Sequence, residues 1–284
     1  MKTALVTGAN GFIGRHLSAT LEGAGVKVWP FDRIGAFGQL VVPHDLSGES
    51  SETYIQIAVK GIDAVFHLAG TADARAHETG SVMVDDITAA RRVLRACGKE
   101  KKPLVVGSSA FAITRNTSYG VTKGCIEDLC TLANRSGQPV AVARLFNVYG
   151  PGQENAVTYR SAVVPGLIGR FSEGDFSIRS PQAKRDFIYI DDVAHSLIVL
   201  MELLEKGEGK PINEVGCGLL HTIWDLGGLI LKEMRLPGPL VTESDVSPEV
   251  KPYNRAALPF ERALVDLQTG VQRTVSHMRA KVAT

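Results

Sequence analysis

The chain lacks a charge imbalance, is poor in cysteine and contains no long apolar run, and each shortage removes a class of function. Its 284 residues carry 31 Lys+Arg against 30 Asp+Glu, a formal net charge of +1. That balance exerts no global pull on nucleic acid or anionic membrane, so neither is expected as a partner. Any phosphate-bearing ligand must then be held by a local device. No stretch approaches the ~20 apolar residues of a membrane span, and the opening MKTALVTGAN shows no apolar leader core. A cytoplasmic protein is the expectation. The four cysteines (Cys97, Cys125, Cys130, Cys217) have no metal-type spacing, and a chain this long needs no disulfide staples. The seven histidines form no HxH, HExxH or HxxxH cluster, so no metal is expected.

What the chain has in excess is glycine, 29 of 284 residues, against about 7% in average usage. Short, uniformly apolar runs alternate with helical patterns over the first half. Strands are expected at 4–6, 26–31, 64–68, 104–106 and 140–143, with helices from the glycine-rich turn to Glu22 and at about 54–60, 82–97 and 118–136. Strands apolar on both faces and separated by helices imply a parallel sheet covered on both sides. The expected fold is α/β, a Rossmann-type doubly wound parallel sheet with a small C-terminal substrate-binding lobe. The rhythm breaks after Gly150 and returns in a strand–helix pair from Asp186 to about Leu204. The sheet domain is accordingly placed at 1–150 plus 186–206, and the lobe at 151–185 plus 207–284, with one clear helix near 223–234.

The first strand runs into Gly8-Ala9-Asn10-Gly11-Phe12-Ile13-Gly14 and then a helix. The first glycine permits the tight turn and the second lets backbone approach a pyrophosphate. The third lets the helix pack closely on the strand, aiming its N-terminal N–H groups at the phosphates. Asp32 ends the second strand eighteen residues after Gly14, where a carboxylate can accept from an adenosine ribose diol; a solvated turn Asp is the alternative. A ribose 2′-phosphate would face that carboxylate, which favours NAD, although Arg33 beside it leaves NADP open. Asp45 and Leu46 would lie near the adenine.

Tyr119-Gly120-Val121-Thr122-Lys123 places a phenol and an ammonium at i and i+4 on one helix face. A nearby cation stabilises a phenolate, so such a tyrosine can act as a general base toward an alcohol. Ser109 ends the fourth strand at the carboxyl edge of the sheet, where open α/β sheets bind ligands; a cap or turn serine is the alternative.

The order of GxxGxxG, Asp32, His67-Leu68-Ala69-Gly70, Ser108-Ser109 and YxxxK resembles the extended short-chain dehydrogenase/reductase family. Within it the chain is most similar to the NAD-dependent sugar-nucleotide epimerase/dehydratase group. The likeness continues through Arg144–Gly152 and Arg185–Ala194 to Asn213–Gly218. The resemblance implies that Tyr119 is the catalytic acid/base, and that Lys123 binds the nicotinamide ribose and tunes Tyr119. It further implies that Ser109 hydrogen-bonds the reacting sugar oxygen, Asn147 contacts a nucleotide-sugar substrate and Arg185 pairs with its diphosphate. For Arg185 a structural ion pair with Asp186 or Asp191 is the alternative. The cofactor set is Gly8, Gly11, Phe12, Ile13, Gly14, Asp32, Arg33, Asp45, Leu46, Leu68, Ala69, Gly70, Tyr119 and Lys123. A homodimer formed through the helices near 82–97 and 118–136 is implied as well, with Ile126, Leu129 and Leu132 either facing the partner or packed on the sheet.

Departures from the group lie around the sugar. Ser109 and Tyr119 lie only ten positions apart, and Asp86 stands where Asn is usual. Arg179-Ser180-Pro181 replaces a Gly-Asp-Gly turn, and Ala257–Phe260 is at best a remnant of the usual C-terminal signature. The group's dehydratases carry an Asp-Glu pair after the serine or threonine, and its decarboxylases a Glu. Here Ala110 and Phe111, which transfer no protons, take those places. The expected reaction is therefore epimerisation through a transient ketone. A sugar-nucleotide dehydrogenase or ketoreductase is the alternative, and a non-catalytic dinucleotide sensor a third reading.

Overall fold

The computed structural model describes residues 1–33, 42–43, 45–48, 51–72, 76–153, 162–244 and 263–282. Strand and helix alternate from the start: β1 (Thr3–Thr7), α1 (Phe12–Gly23), β2 (Lys27–Asp32), β3 (Val42–Pro43), α2 (Ser51–Lys60) and β4 (Ala64–His67). A 3-10 turn at Ala76–Thr79 precedes α3 (Ser81–Lys99), β5 (Leu104–Ser109), α4 (Phe111–Thr114), α5 (Ser118–Arg135) and β6 (Val140–Leu145). Then come β7 (Asn147–Tyr149), α6 (Val163–Ser172), β8 (Ser177–Arg179), β9 (Lys184–Tyr189), α7 (Ile190–Glu205) and β10 (Ile212–Val215). The chain ends in β11 (Leu220–Thr222), α8 (Ile223–Met234), β12 (Val241–Ser244) and α9 (Leu267–Val282).

Among the described residues the large sheet has seven parallel strands in the order β10-β6-β5-β4-β1-β2-β3. The chain winds outward from β1 in one direction to β3, then returns to β4 on the other side. The switch point therefore falls between β1 and β4, and such a sheet binds ligands in the crevice beyond its strand ends there. The Rossmann-type doubly wound fold expected from the sequence is what the strand order and the all-parallel pairing describe. Uniformly apolar strands explain it: β4 reads AVFH and is buried throughout, as strands covered on both faces must be.

The core joins Leu5, Val65, Leu104, Val106, Val140 and Val142 of the sheet to Ile55 and Val59 of α2 and Val93 and Cys97 of α3. All four cysteines are free; Cys97 and Cys130 are buried and Cys125 and Cys217 half-buried. Burial pushes the Cys97 and Cys130 thiols up to about 12, so they remain protonated packing groups. No helix among the described residues is long and apolar enough to cross a membrane.

The chain forms two compact units, Met1–Leu145 with Val193–Val215, and Phe146–Asp192 with Gly216–Thr284. The first holds the large sheet, including β10 paired with β6. The second has a three-stranded sheet, β11-β9-β7, and a parallel pair, β12-β8. Buried Asp186 organises the second unit: its two carboxylate oxygens accept the Cys217 and Gly218 N–H groups at 2.8 and 2.9 Å. Asp192 likewise accepts the Val265 N–H at 2.9 Å, tying the segment before α9 to the start of α7. In the substituted turn, Ser180 adopts a left-handed φ of 51°, a conformation that glycine would adopt without strain. Ala257–Phe260 lies outside the described residues.

Candidate active site

The glycine loop is built by contacts that only glycine allows. Gly8 has a φ of 70°, and a Cβ there would lie 2.6 Å from the Ala69 nitrogen at the end of β4. A Cβ at Gly14 would overlap the Gly8 carbonyl and come within 2.8 Å of the Ala9 Cα, so the third glycine seats α1 against the turn. Gly11 is the N-cap of α1, with no side-chain cap and no acidic residue in the first turn. The N-terminal amides of α1 are thus not screened by a local carboxylate, as a pyrophosphate site requires. Phe12 and Ile13 are half-buried on the first turn, and the Phe12 ring meets His16 edge-on at 5.5 Å.

Asp32 at the end of β2 is half-buried; its carboxylate accepts the Asn10 N–H at 2.9 Å and the Arg33 N–H at 2.7 Å. One oxygen thereby fixes the glycine loop, while a carboxylate's about four lone-pair sites leave room for ribose hydroxyls. Arg33 is exposed. Asp45 is exposed and accepts from the Ser47 N–H and hydroxyl at 2.9 and 2.7 Å. The Leu46 side chain is buried in the core and its carbonyl accepts from Arg92 at 2.8 Å. Leu68 and Ala69 continue from β4, their N–H groups bonded to the Thr7 carbonyl at 3.1 Å and the Thr7 hydroxyl at 3.3 Å. The loop, the end of β2 and the end of β4 therefore meet around one crevice and fit a dinucleotide.

Tyr119 and Lys123 stand on α5, whose start is fixed by Thr117: its hydroxyl accepts the Gly120 N–H at 3.0 Å. Tyr119 is half-buried and Lys123 is buried, with the ammonium 5.7 Å from the tyrosine ring centroid. Ser109 is buried at the end of β5 and its hydroxyl accepts the Phe111 N–H at 3.3 Å. That bond uses an acceptor lone pair of the hydroxyl and leaves its hydrogen to be donated. Phe111 packs edge-on against Tyr119 with centroids 5.9 Å apart.

His77 and Glu127, which carry no motif, join Asp86 around this helix. His77, from the 3-10 turn, lies edge-on to Tyr119 at 5.1 Å and 3.4 Å from Asp86. Asp86 approaches Lys123 to 4.0 Å. Beneath α5, Glu127 is 1% exposed, accepts the Ser108 hydroxyl at 2.7 Å and binds Arg144 through both oxygens at 2.6 and 3.1 Å. Arg144 also reaches Glu214 at 2.9 Å, and its bond to Glu127 raises its pKa above the ordinary value. His67, named in the HLAG run, is fully buried against the Thr7 hydroxyl at 2.7 Å. Burial lowers its pKa to about 3, so it is a neutral packing group. A histidine paired through tertiary contacts leaves no spacing signature, which is why His77 could not be singled out from sequence.

In the second unit, Asn147 on β7 donates its side-chain N–H to the Asp186 carbonyl of β9 at 3.0 Å. Arg185 on β9 is half-buried and donates to the Lys184 carbonyl at 2.8 Å; burial pulls its pKa below the ordinary guanidinium value. Among the described residues no group of three or more His, Cys, Asp or Glu could hold a metal ion.

Residues 4–216 match the NAD dependent epimerase/dehydratase family. A UDP-2-acetamido-2,6-beta-L-arabino-hexul-4-ose reductase of Pseudomonas aeruginosa is 32% identical over 201 residues, 70% of this chain and 49% of the relative. The match thus spans about half of that protein's length. A UDP-N-acetyl-alpha-D-glucosaminuronate decarboxylase of Bacillus cytotoxicus is 28% identical over 243 residues, 75% of this chain and 74% of the relative. Among solved structures, a UDP-glucose 4-epimerase from Stenotrophomonas maltophila with bound NAD superposes with a TM-score of 0.85 at 19% identity, covering 100% of this chain and 99% of that one. At that identity the likeness is one of fold.

Proposed function

The chain belongs to the NAD dependent epimerase/dehydratase family, and from that premise we propose that it is an epimerase acting on a nucleotide-activated sugar. The observation that carries this reading is the surroundings of Tyr119. A phenol and an ammonium share the start of α5, a serine hydroxyl ends β5, and the two positions after that serine hold Ala110 and Phe111. Those positions supply no second proton carrier for removing water or carbon dioxide, so the chemistry supported is oxidation and reduction at one alcohol carbon.

NAD, held by the glycine loop and Asp32, supplies a hydride acceptor that can give the hydride back. Tyr119 takes the proton of the sugar hydroxyl and returns it to the ketone oxygen. Lys123 stabilises the phenolate and holds the nicotinamide ribose. Ser109 hydrogen-bonds the reacting oxygen, which keeps the carbonyl aligned while the flat intermediate turns its other face. Asn147 contacts the substrate and Arg185 its diphosphate, a task suited to a planar guanidinium. The buried Glu127 pairing sets β5 against α5 and so fixes Ser109 relative to Tyr119.

A ketoreductase is the second reading, favoured by the 32% identity to a hexulose reductase. Steady nicotinamide absorbance during product formation separates the two: it stays constant for an epimerase and falls with each turnover for a reductase. Purified protein assayed against UDP-, dTDP-, GDP- and CDP-sugars, with products read by NMR, identifies the substrate. Dimerisation through α3 and α5 is part of the proposal, supported by exposed Val84, Val121 and Leu132 on those helices.

A further inference from the structure

Lys123 has a buried anionic neighbour. The Lys123 ammonium and the Asp86 carboxylate lie 4.0 Å apart, each side chain 9% exposed. Asp86 is held from two further sides: the Thr71 N–H donates to its oxygens at 3.2 and 3.0 Å, and His77 Nε2 lies 3.4 Å away. The close packing depends on Gly70, because a Cβ there would sit 3.1 Å from both the Asp86 oxygen and the Lys123 nitrogen. The same His77 ring rests edge-on against Tyr119 at 5.1 Å. The carboxylate is thus built into α3, the 3-10 turn and the end of β4 at once, and it faces the ammonium that lies over the Tyr119 ring.

We propose that Asp86 acts on Tyr119 through Lys123: by placing a negative charge beside the ammonium it sets the pH at which the Tyr119 phenolate forms. The inference rests on the reading of Tyr119 as the acid/base. An ammonium close to a phenol favours the phenolate, and a carboxylate on that ammonium offsets part of the effect. Titratable groups near Lys123 include Asp86 from α3, Tyr119 and the buried Glu127 on its own helix, and His67 from β4. His67 is neutral through most of the pH range, since burial holds its pKa at about 3. Asp86 is therefore the carboxylate paired with Lys123, since Glu127 is paired with Arg144. His77 spaces the carboxylate from the tyrosine ring and keeps both in place.

The test uses the protein as isolated and needs no substrate. Phenolate absorbance is titrated against pH in wild type and in Tyr119→Phe, and the difference isolates Tyr119 from the other five of the six tyrosines. In Asp86→Asn that ionisation is expected about half a unit to one unit lower, because the ammonium loses its counter-charge. Asp86→Glu, which restores the charge, is expected to return it toward the wild-type position. Should Asp86→Asn not fold, Asp86→Ser takes its place, since a serine hydroxyl can still accept the Thr71 N–H without a charge. An unchanged titration in the uncharged variant, or one moved to higher pH, overturns the proposal. The reading of Tyr119 fails separately, if Tyr119→Phe turns over the sugar-nucleotide panel as wild type does.

Discussion

A methyl group at Gly14 would overlap the Gly8 carbonyl, so the glycine loop and the first turn of α1 cannot keep their geometry around an alanine. Gly14→Ala is expected to weaken NADH binding at least about tenfold, or ~1.4 kcal/mol, in a fluorescence titration. An affinity equal to wild type would mean that the loop does not carry the pyrophosphate. His67 supports a pH prediction. In the unfolded chain its imidazole gains a proton below the ordinary value of 6.5, whereas in the fold it stays neutral down to about 3. Its contribution to stability is therefore intact above about pH 6.5 and falls as the pH drops toward 3, by up to about 1.4 kcal/mol per unit. Melting temperatures at about pH 7 and pH 5 should differ less in His67→Gln than in wild type. The residues with a positional signature, Gly8, Gly14, Asp32, Ser109, Tyr119 and Lys123, were legible in the sequence because strand, turn and helix spacing bring them to one sheet edge. Asp86 was visible only as an unusual residue and His77 not at all, because their meaning comes from contacts across α3, α5 and the 3-10 turn.

At the scale of elements, α5 matters most, because it carries Tyr119 and Lys123 while its buried side decides where they point. Glu127 lies one turn beyond Lys123 and holds Ser108 of β5 and Arg144 of β6 in one buried network. Glu127→Ala leaves Arg144 and Ser108 without their shared acceptor, and removing one partner of a buried pair typically costs about 3–5 kcal/mol. Urea unfolding should show a loss of that size; a loss below about 1 kcal/mol, the scale of an exposed pair, would show the network to be solvated. The five expected strands of the large sheet all form, with ends shifted by up to three residues; uninterrupted apolar runs specify the buried parallel strands, whereas β2 lies nearer the sheet edge and only Phe31 of its residues is buried. α9 is hard to read from LQTGVQRTVSHMRAKV because the helix is polar overall and its apolar positions, Leu267, Val271, Val275 and Met278, form only a narrow stripe. On α5 the sheet-packing alternative holds for Ile126, which belongs to the core, and Leu129, which packs against it, while Leu132 is exposed.

For the molecule as a whole, the near-neutral charge goes with the proposed local phosphate loop at the switch point of a parallel sheet; that loop takes Gly8, Gly11 and Gly14, while other glycines, such as Gly25, Gly137 and Gly207, serve left-handed turns. Its proposed assembly makes a separate prediction. Leu132 is 58% exposed, so Leu132→Glu should leave the fold intact, whereas at a dimer interface it would place a charge against an apolar partner. Light scattering should then report a dimer for wild type and a monomer for the variant; equal masses would place any interface elsewhere. The central claim is that Tyr119 drives a reversible oxidation whose hydride returns to the same sugar. Its most direct test is one assay of wild type and Tyr119→Phe with a sugar nucleotide that the panel identifies, following product by NMR and nicotinamide absorbance together. The account predicts epimer formation at constant absorbance in wild type and none in Tyr119→Phe with NAD binding retained. Consumption of one reduced cofactor per product, or undiminished turnover without the tyrosine hydroxyl, would contradict it.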